Sequence, residues 1–454
     1  MAQFSDFPNE IIDHILSFVP RCDLPNICLV NKSLQVSADP LLYSTILLDW
    51  HFFHIPPIIP LLRTLLQRPE LFAYVKTVSL HGEPFPSRPE TPLLDMTNIA
   101  LDDFIAAIER TQAPFTDYWV RKVRLGGTCI EALAGLLIAN LSKTTRLAIN
   151  HNFINGRHLI QKVLQAKIFG PCQMPPFSNL KDIRYYQNRD PSFARYNVIF
   201  DDAISLFYLP TVTHISVSFW NPEVFQWPAG EPHLDHLTSL DIQWLCDAFV
   251  AKILSLTRNL KSLFWTWHFE NDPDDPWDSS TIDFDNIVAV LSHVKESLRF
   301  RLDVGPEEFE DWDELEFTVL GSFSGLRDFD RITHLDVPLT SLPGSGPKPL
   351  PLEQYVPDSV EILSLPDVAF CEGRVTEDWS GFGADDIVSV IQPLAETYPT
   401  TLPRLRCINV FDTKTGSFKR DANLDARLKE ISSGFDVQLL PYELPGPRFY
   451  FGEG

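Results

Sequence analysis

His233 and His236 stand three residues apart, the spacing that puts two imidazoles on one face of a helix and lets them share a zinc ion. Pro232 precedes them and a strand-like pattern follows, so the pair reads as structural and no metal site is expected. Gly126-Gly127 lacks the further glycines and the lysine that cradle a phosphate, and no nucleophile elbow, Walker loop, HExxH helix or kinase signature occurs. The Asp-rich segment Glu270 to Asp285 lacks the central glycine and terminal glutamate of a calcium loop. Cys22, Cys28, Cys129, Cys172, Cys246, Cys371 and Cys407 are far apart with no CxxC pair, suggesting reduced thiols of a cytoplasmic or nuclear protein. The expectation is a protein that is not an enzyme, with no catalytic residue and no cofactor. A hydrolase whose residues assemble from distant positions is the remote exception.

Side chains that recognise a partner are easier to find. His214, Ser216, Ser218, Asp241, Gln243, Phe264, Thr266, His334 and Asp336 all stand between or beside the apolar positions of one recurring motif. In it apolar residues occupy the first, fourth and sixth places, a period-2 ending typical of a strand. Instances run from Val75 to Leu80, Val120 to Leu125, Leu180 to Tyr185, Val212 to Val217, Leu237 to Ile242, Leu260 to Trp265, Ile332 to Val337, Val360 to Leu365 and Leu405 to Val410. Weaker copies lie at Thr144 to Ile149 and Leu298 to Val304. Neighbouring side chains alternate across a strand, so the intervening residues face away from the core and become the candidate target-binding surface.

Helical patterns fill many of the gaps: Leu101 to Arg110, Ile130 to Leu141, His158 to Ile168, Ala248 to Leu256, Phe284 to Leu298, Asp385 to Leu394 and Leu424 to Ile431. Strand then helix, repeated at uneven intervals, resembles the leucine-rich-repeat plan, in which each unit has too little core to stand alone and stacking supplies it. The expected fold class is α/β: an irregular leucine-rich-repeat-like solenoid over residues 49–440 with a C-terminal tail at 441–454. Proline-rich segments at Pro84 to Pro92, Leu342 to Pro351 and Leu440 to Pro447 read as loops or tail.

The first fifty residues differ from this. Apolar residues between Asn9 and Val19 recur at helical spacing, with Pro20 closing the segment. Asp23 is placed to cap a second helix, Leu24 to Val30, with Pro25 at its first position. A third holds Leu34 and Val36 and is expected to stop at Asp39-Pro40. Helices this short are marginal alone and need a partner surface.

Phe7-Pro8, Glu10-Ile11, Ile15-Leu16, Pro20, Asp23-Leu24, Leu29-Val30-Asn31-Lys32 and Pro40-Leu41-Leu42-Tyr43 resemble the F-box in order and spacing, over residues 4–48. Phe7 stands where the family usually has Leu, and Leu34 near its common Trp; both stay apolar. The resemblance implies that Phe7, Pro8, Ile11, Ile15, Leu16, Leu24, Leu29 and Val30 help dock a Skp-type adaptor and, through it, a cullin. The same residues can equally form the core of a small helical cap. The many prolines and uneven repeats resemble the variable F-box receptors of fungi.

The chain of 454 residues carries a formal charge of −23 and a pI near 4.8. That field repels nucleic acid and anionic membranes and favours a target with a basic surface. Two acidic runs, Glu270 to Asp285 and Asp303 to Glu316, with Trp277 and Trp312, are candidates for such a contact. The most apolar stretch, Ile55 to Leu66, is broken by Pro56, Pro57, Pro60 and Arg63 and is too short to cross a bilayer. The function expected is a non-catalytic substrate receptor of a Skp-cullin-F-box ubiquitin ligase. The alternative is a leucine-rich-repeat scaffold whose F-box-like cap is structural or works without a cullin.

Overall fold

The computed structural model describes residues 7–50, 55–82, 94, 100–125, 130–154, 159–186, 203–218, 221–222, 224–269, 281–294, 299–306, 318–342, 351–365, 384–412, 426–427, 430 and 436–441. The chain divides into two compact units, one within Met1–Ser216 and one within Val217–Gly446. The Pro84 to Pro92 segment, most of both acidic runs, Trp277, Trp312, and most of the Leu342 to Pro351, Leu424 to Ile431 and Leu440 to Pro447 segments lie outside the described residues.

The first unit opens with α1 (Asn9–Leu16), α2 (Leu24–Cys28) and α3 (Lys32–Leu42). Ile12, Leu16 and Ala38 form their shared centre, with Val19, Ile27, Cys28, Leu34 and Leu41 packed around it. Two details differ from expectation. Asp23 does not cap α2, because its φ of −94° and ψ of −18° are already helical and its carboxylate receives no amide; a capping residue needs extended backbone. The side chain that does cap is Asn31, accepting the Leu34 amide at the start of α3.

Nor does α3 stop at Asp39-Pro40. Proline removes one amide, and the carbonyl left without it belongs to solvent-exposed Val36, where water can serve. The last turn is held by Tyr43 N–H to the Asp39 carbonyl and by the Ser44 hydroxyl to that of Leu41. Asp39, almost fully buried, pairs with Arg68 at 2.5 Å, fastening α3 to the segment that follows.

Beyond these helices the architecture is α/β. In the first unit β1 (Thr45–Asp49), β2 (Thr77–His81), β3 (Arg146–Ile149) and β4 (Asp182–Tyr185) lie side by side in chain order, all parallel. Ile46, Val78, Leu147 and Ile183 stand in register as one buried row. β5 (His214–Ser218) begins at the end of this unit. Between the strands run α4 (Ile58–Gln67), α5 (Asp102–Arg110), α6 (Thr116–Arg124), α7 (Ile130–Asn140), α8 (His151–Ile154) and α9 (Leu159–Phe169).

α4 escaped the sequence reading because of its prolines. Pro56 and Pro57 precede it and Pro60 falls in its first turn, where amides lack partners in any case. Ile58, Leu62 and Leu65 then form its buried stripe.

The strand expected at Val120 to Leu125 is instead part of α6. Trp119 and Val123, four apart, are its buried face, Leu125 is exposed, and Arg121, Lys122 and Arg124 in the last turn suit the negative helix end. Trp119 donates its indole N–H to the Ala132 carbonyl of α7, a helix buried from Ile130 to Ala139. Glu131 Oε1 accepts the Leu159 and Ile160 amides at 2.6 and 3.3 Å, capping α9 from a distance in sequence. Lys167 donates to the carbonyls of Ala139, Leu141 and Pro175; burial pushes its pKa down to about 7, with nearby Cys172 opposing.

The second unit repeats the plan with β6 (Ser239–Gln243), β7 (Ser262–Phe269), β9 (Arg299–Pro306), β11 (His334–Asp336), β12 (Ile362–Leu365), β13 (Cys407–Asp412) and β14 (Asp436–Pro441) in that order, all parallel. Its inner row is Leu240, Leu263, Phe300, Leu335, Leu363 and Ile408, every one buried. β8 (Thr281–Asp283) and β10 (Thr318–Leu320) pair separately. Among the described residues its α-helices are α10 (Asp247–Leu254), α11 (Phe284–Leu291) and α12 (Ala384–Thr401).

Candidate functional site

The amphipathic turn of α1 divides its apolar residues between two environments. Ile12 and Leu16 go inward, while Phe7, Ile11, Ile15 and Phe18 keep to the other side, retaining 45%, 46%, 40% and 75% exposure. Just after α2, Leu29 and Val30 are 85% and 67% exposed, and Val36 on α3 is equally open. Pro8 starts the stripe, its carbonyl accepting the Ile11 and Ile12 amides. Phe18 meets His14 edge-on at 5.0 Å. So many large apolar side chains left outside one small helical group are a mark of an interaction surface.

Two expected docking residues are corrected. Leu16 and Leu24 are 2% and 3% exposed, so they build the helical group from inside and offer no surface. Phe18 and Val36 were missed. The signal for Phe18 was present: it continues the spacing of Phe7, Ile11 and Ile15.

Residues 4–39 match the F-box domain. F-box domains bind the Skp adaptor of Skp-cullin-F-box ubiquitin ligases, which supports a role in adaptor binding for this domain. No curated protein matches the chain. Within the F-box, burial separates the residues that fold the domain (Ile12, Leu16, Leu24, Ala38) from those open to a partner.

On the sheet, the intervening residues line up as the alternation requires. In the second unit Asp241, Phe264, Arg301, Asp336, Ser364 and Asn409 form one cross-strand row. Arg301 pairs with Asp336 at 3.4 Å, and Asn409 donates to the Ser364 hydroxyl at 3.1 Å. The row before holds Ser239, Ser262, Arg299 and His334, and the row after pairs Gln243 with Thr266. His334 is kept below the usual histidine range by burial and by Arg299, against the pull of Glu361, which favours a neutral ring near neutral pH. His214 and Ser216 hold the matching places on β5, but Ser218 is 1% exposed and is withdrawn from any surface.

Arg299, Arg301, Ser364 and Asn409 were not anticipated, although the same rule points to them. Ser364 and Asn409 sit between the fourth and sixth apolar places of their motif copies, as Asp241 does, and Arg299 and Arg301 flank Phe300 in the weaker copy. Among the described residues no group of three or more histidine, cysteine or acidic side chains is arranged to hold a metal. None of the described helices is long and apolar enough to cross a membrane.

Proposed function

We propose that this chain is a non-catalytic substrate receptor. The F-box would hold the Skp adaptor and, through it, a cullin, while the repeated strand-helix units present a protein target. The observation that carries the reading is the F-box at residues 4–39 with Phe7, Ile11, Ile15, Phe18, Leu29 and Val30 outside its core. Tethering of this kind works by raising local concentration and asks for no chemistry from the receptor.

Parallel strands in chain order with helices between them support a leucine-rich-repeat-like array over residues 49–440, after an F-box module at 4–48 and before a tail at 441–454. The mixed polar rows of the sheet, with cationic, anionic and aromatic members, suit a protein surface. The charge of −23 argues against nucleic acid and membrane and favours a basic target. The cell compartment of this assembly would be the cytoplasm or nucleus.

The test is reconstitution of the full chain with a Skp adaptor, a cullin and its RING subunit. Recovery of all partners in one complex, and ubiquitin transfer to a target captured through the sheet face, is the expected result. Adaptor bound without cullin would instead select the scaffold reading, and failure to bind the adaptor would overturn the proposal.

A further inference from the structure

A cleft of about 230 Å³ opens in the second unit at the carboxyl ends of β6 and β7, lined by Trp244, Trp267, Asp247, Asp283, Asn221 and Leu320 among others. That is below the roughly 300–1,000 Å³ of pockets for whole small ligands and cofactors, and suits one long side chain. Trp244 follows β6 with φ of +70°, a left-handed conformation that disfavours a bulky residue by on the order of 1–2 kcal/mol. Its amide donates to the Thr266 carbonyl at 2.8 Å, which holds it there.

The electrostatics select the sign of the guest. Asp247 and Asp283 stand at the starts of α10 and α11, and Asn286 ties them together. Its amide donates to Asp283 Oδ1 at 3.1 Å and its side chain donates to Asp247 Oδ2. Among the described residues no lysine or arginine pairs with either carboxylate. Two helix N-termini contribute about half a positive charge each, so two carboxylates leave a net charge of about −1. The remaining acid in the cleft is silent, because burial raises the Cys246 thiol to about 11. An anion therefore meets occupied helix ends and repulsion, while a cation meets two carboxylates with free lone pairs and two indoles, the best ring for a cation to rest on.

We infer that this cleft receives one cationic side chain, arginine or lysine, of the target protein. The inference rests on the receptor reading above and names the chemistry by which part of the target is held.

The probe is Nα-acetyl-arginine methylamide, titrated into the full chain labelled with 5-fluorotryptophan and followed by ¹⁹F NMR, with Trp244→Phe and Trp267→Phe identifying the two signals. Saturable shifts of both are expected, and none with the citrulline or glutamate analogue. Asp247→Asn combined with Asp283→Asn should weaken binding at least about tenfold; asparagine still caps a helix, so α11 keeps its start. Equal binding of citrulline, preference for glutamate, an unchanged double variant, or no saturable shift at all would each overturn the inference. Adaptor co-purification is scored on the same samples. Loss of cation binding with the adaptor retained removes the cleft assignment alone, whereas loss of the adaptor counts against the proposed function.

Discussion

Replacing Ile11 and Ile15 together by alanine should weaken adaptor binding while leaving the chain folded. Fully burying an isoleucine is worth about 1.5–3 kcal/mol. These two retain 46% and 40% exposure, so a partner that covers them removes somewhat under half of each side chain from water. That gives about 1 kcal/mol per residue and about 2 kcal/mol together if their effects add, or roughly a thirtyfold rise in Kd. Leu29→Ala alone should cost about as much as the pair, because 85% of Leu29 is still open. Leu16→Ala is the contrasting case: at 2% exposure it should destabilise the helical group by about 2–5 kcal/mol and weaken binding only through unfolding. Titration calorimetry with the purified adaptor, beside urea unfolding of each variant, separates the two kinds of loss. Wild-type affinity in the Ile11, Ile15 variant, or loss of fold there with Leu16→Ala unaffected, would refute the assignment of inner and outer faces.

Three further outcomes follow from the packing. Arg68→Ala leaves the buried Asp39 carboxylate without its partner and should destabilise the first unit by on the order of 2–3 kcal/mol, less than a fully buried pair because Arg68 is itself partly exposed; urea unfolding at neutral pH reads this directly. Glu131→Gln keeps an acceptor but removes the charge at the start of α9, costing about 1 kcal/mol, whereas Glu131→Ala orphans two amides and should cost about 2–3 kcal/mol, with Leu159 and Ile160 losing hydrogen-exchange protection first. Lys167 gives a pH dependence. Its folded pKa near 7 lies below the unfolded value near 10.4, so between these values the unfolded chain binds more protons and stability rises with pH. Unfolding measured at about pH 7 and pH 9 should show this rise in the native chain and a flatter response in Lys167→Met.

The repeated strand was legible in the residues because it depends only on alternation. Where apolar side chains stand two apart after a three-residue lead at Leu237, Leu240 and Ile242, the chain buries one face and extends. The same pattern misled at Val120 to Leu125, where Trp119, just outside the motif, supplied a stronger helical pairing with Val123. Helix limits at Asp23 and Pro40 also departed from local rules. At Asp23 the backbone is already helical and leaves the carboxylate no capping amide, and at Pro40 the carbonyl left without an amide belongs to exposed Val36.

The F-box and its apolar stripe could be read from order and spacing, and the period of α1 even places Phe18 beside Ile11 and Ile15. Which leucines fold the domain and which remain open was decided by packing: Leu16 closes on Ala38, and Leu29 closes on nothing within its helical group. The Asp39 to Arg68 pair, the Glu131 cap and the cleft of Trp244, Trp267, Asp247 and Asp283 join residues from separate segments. Their spacing along the chain carries no period, because strand ends and helix starts bring them together only once the parallel sheet has formed.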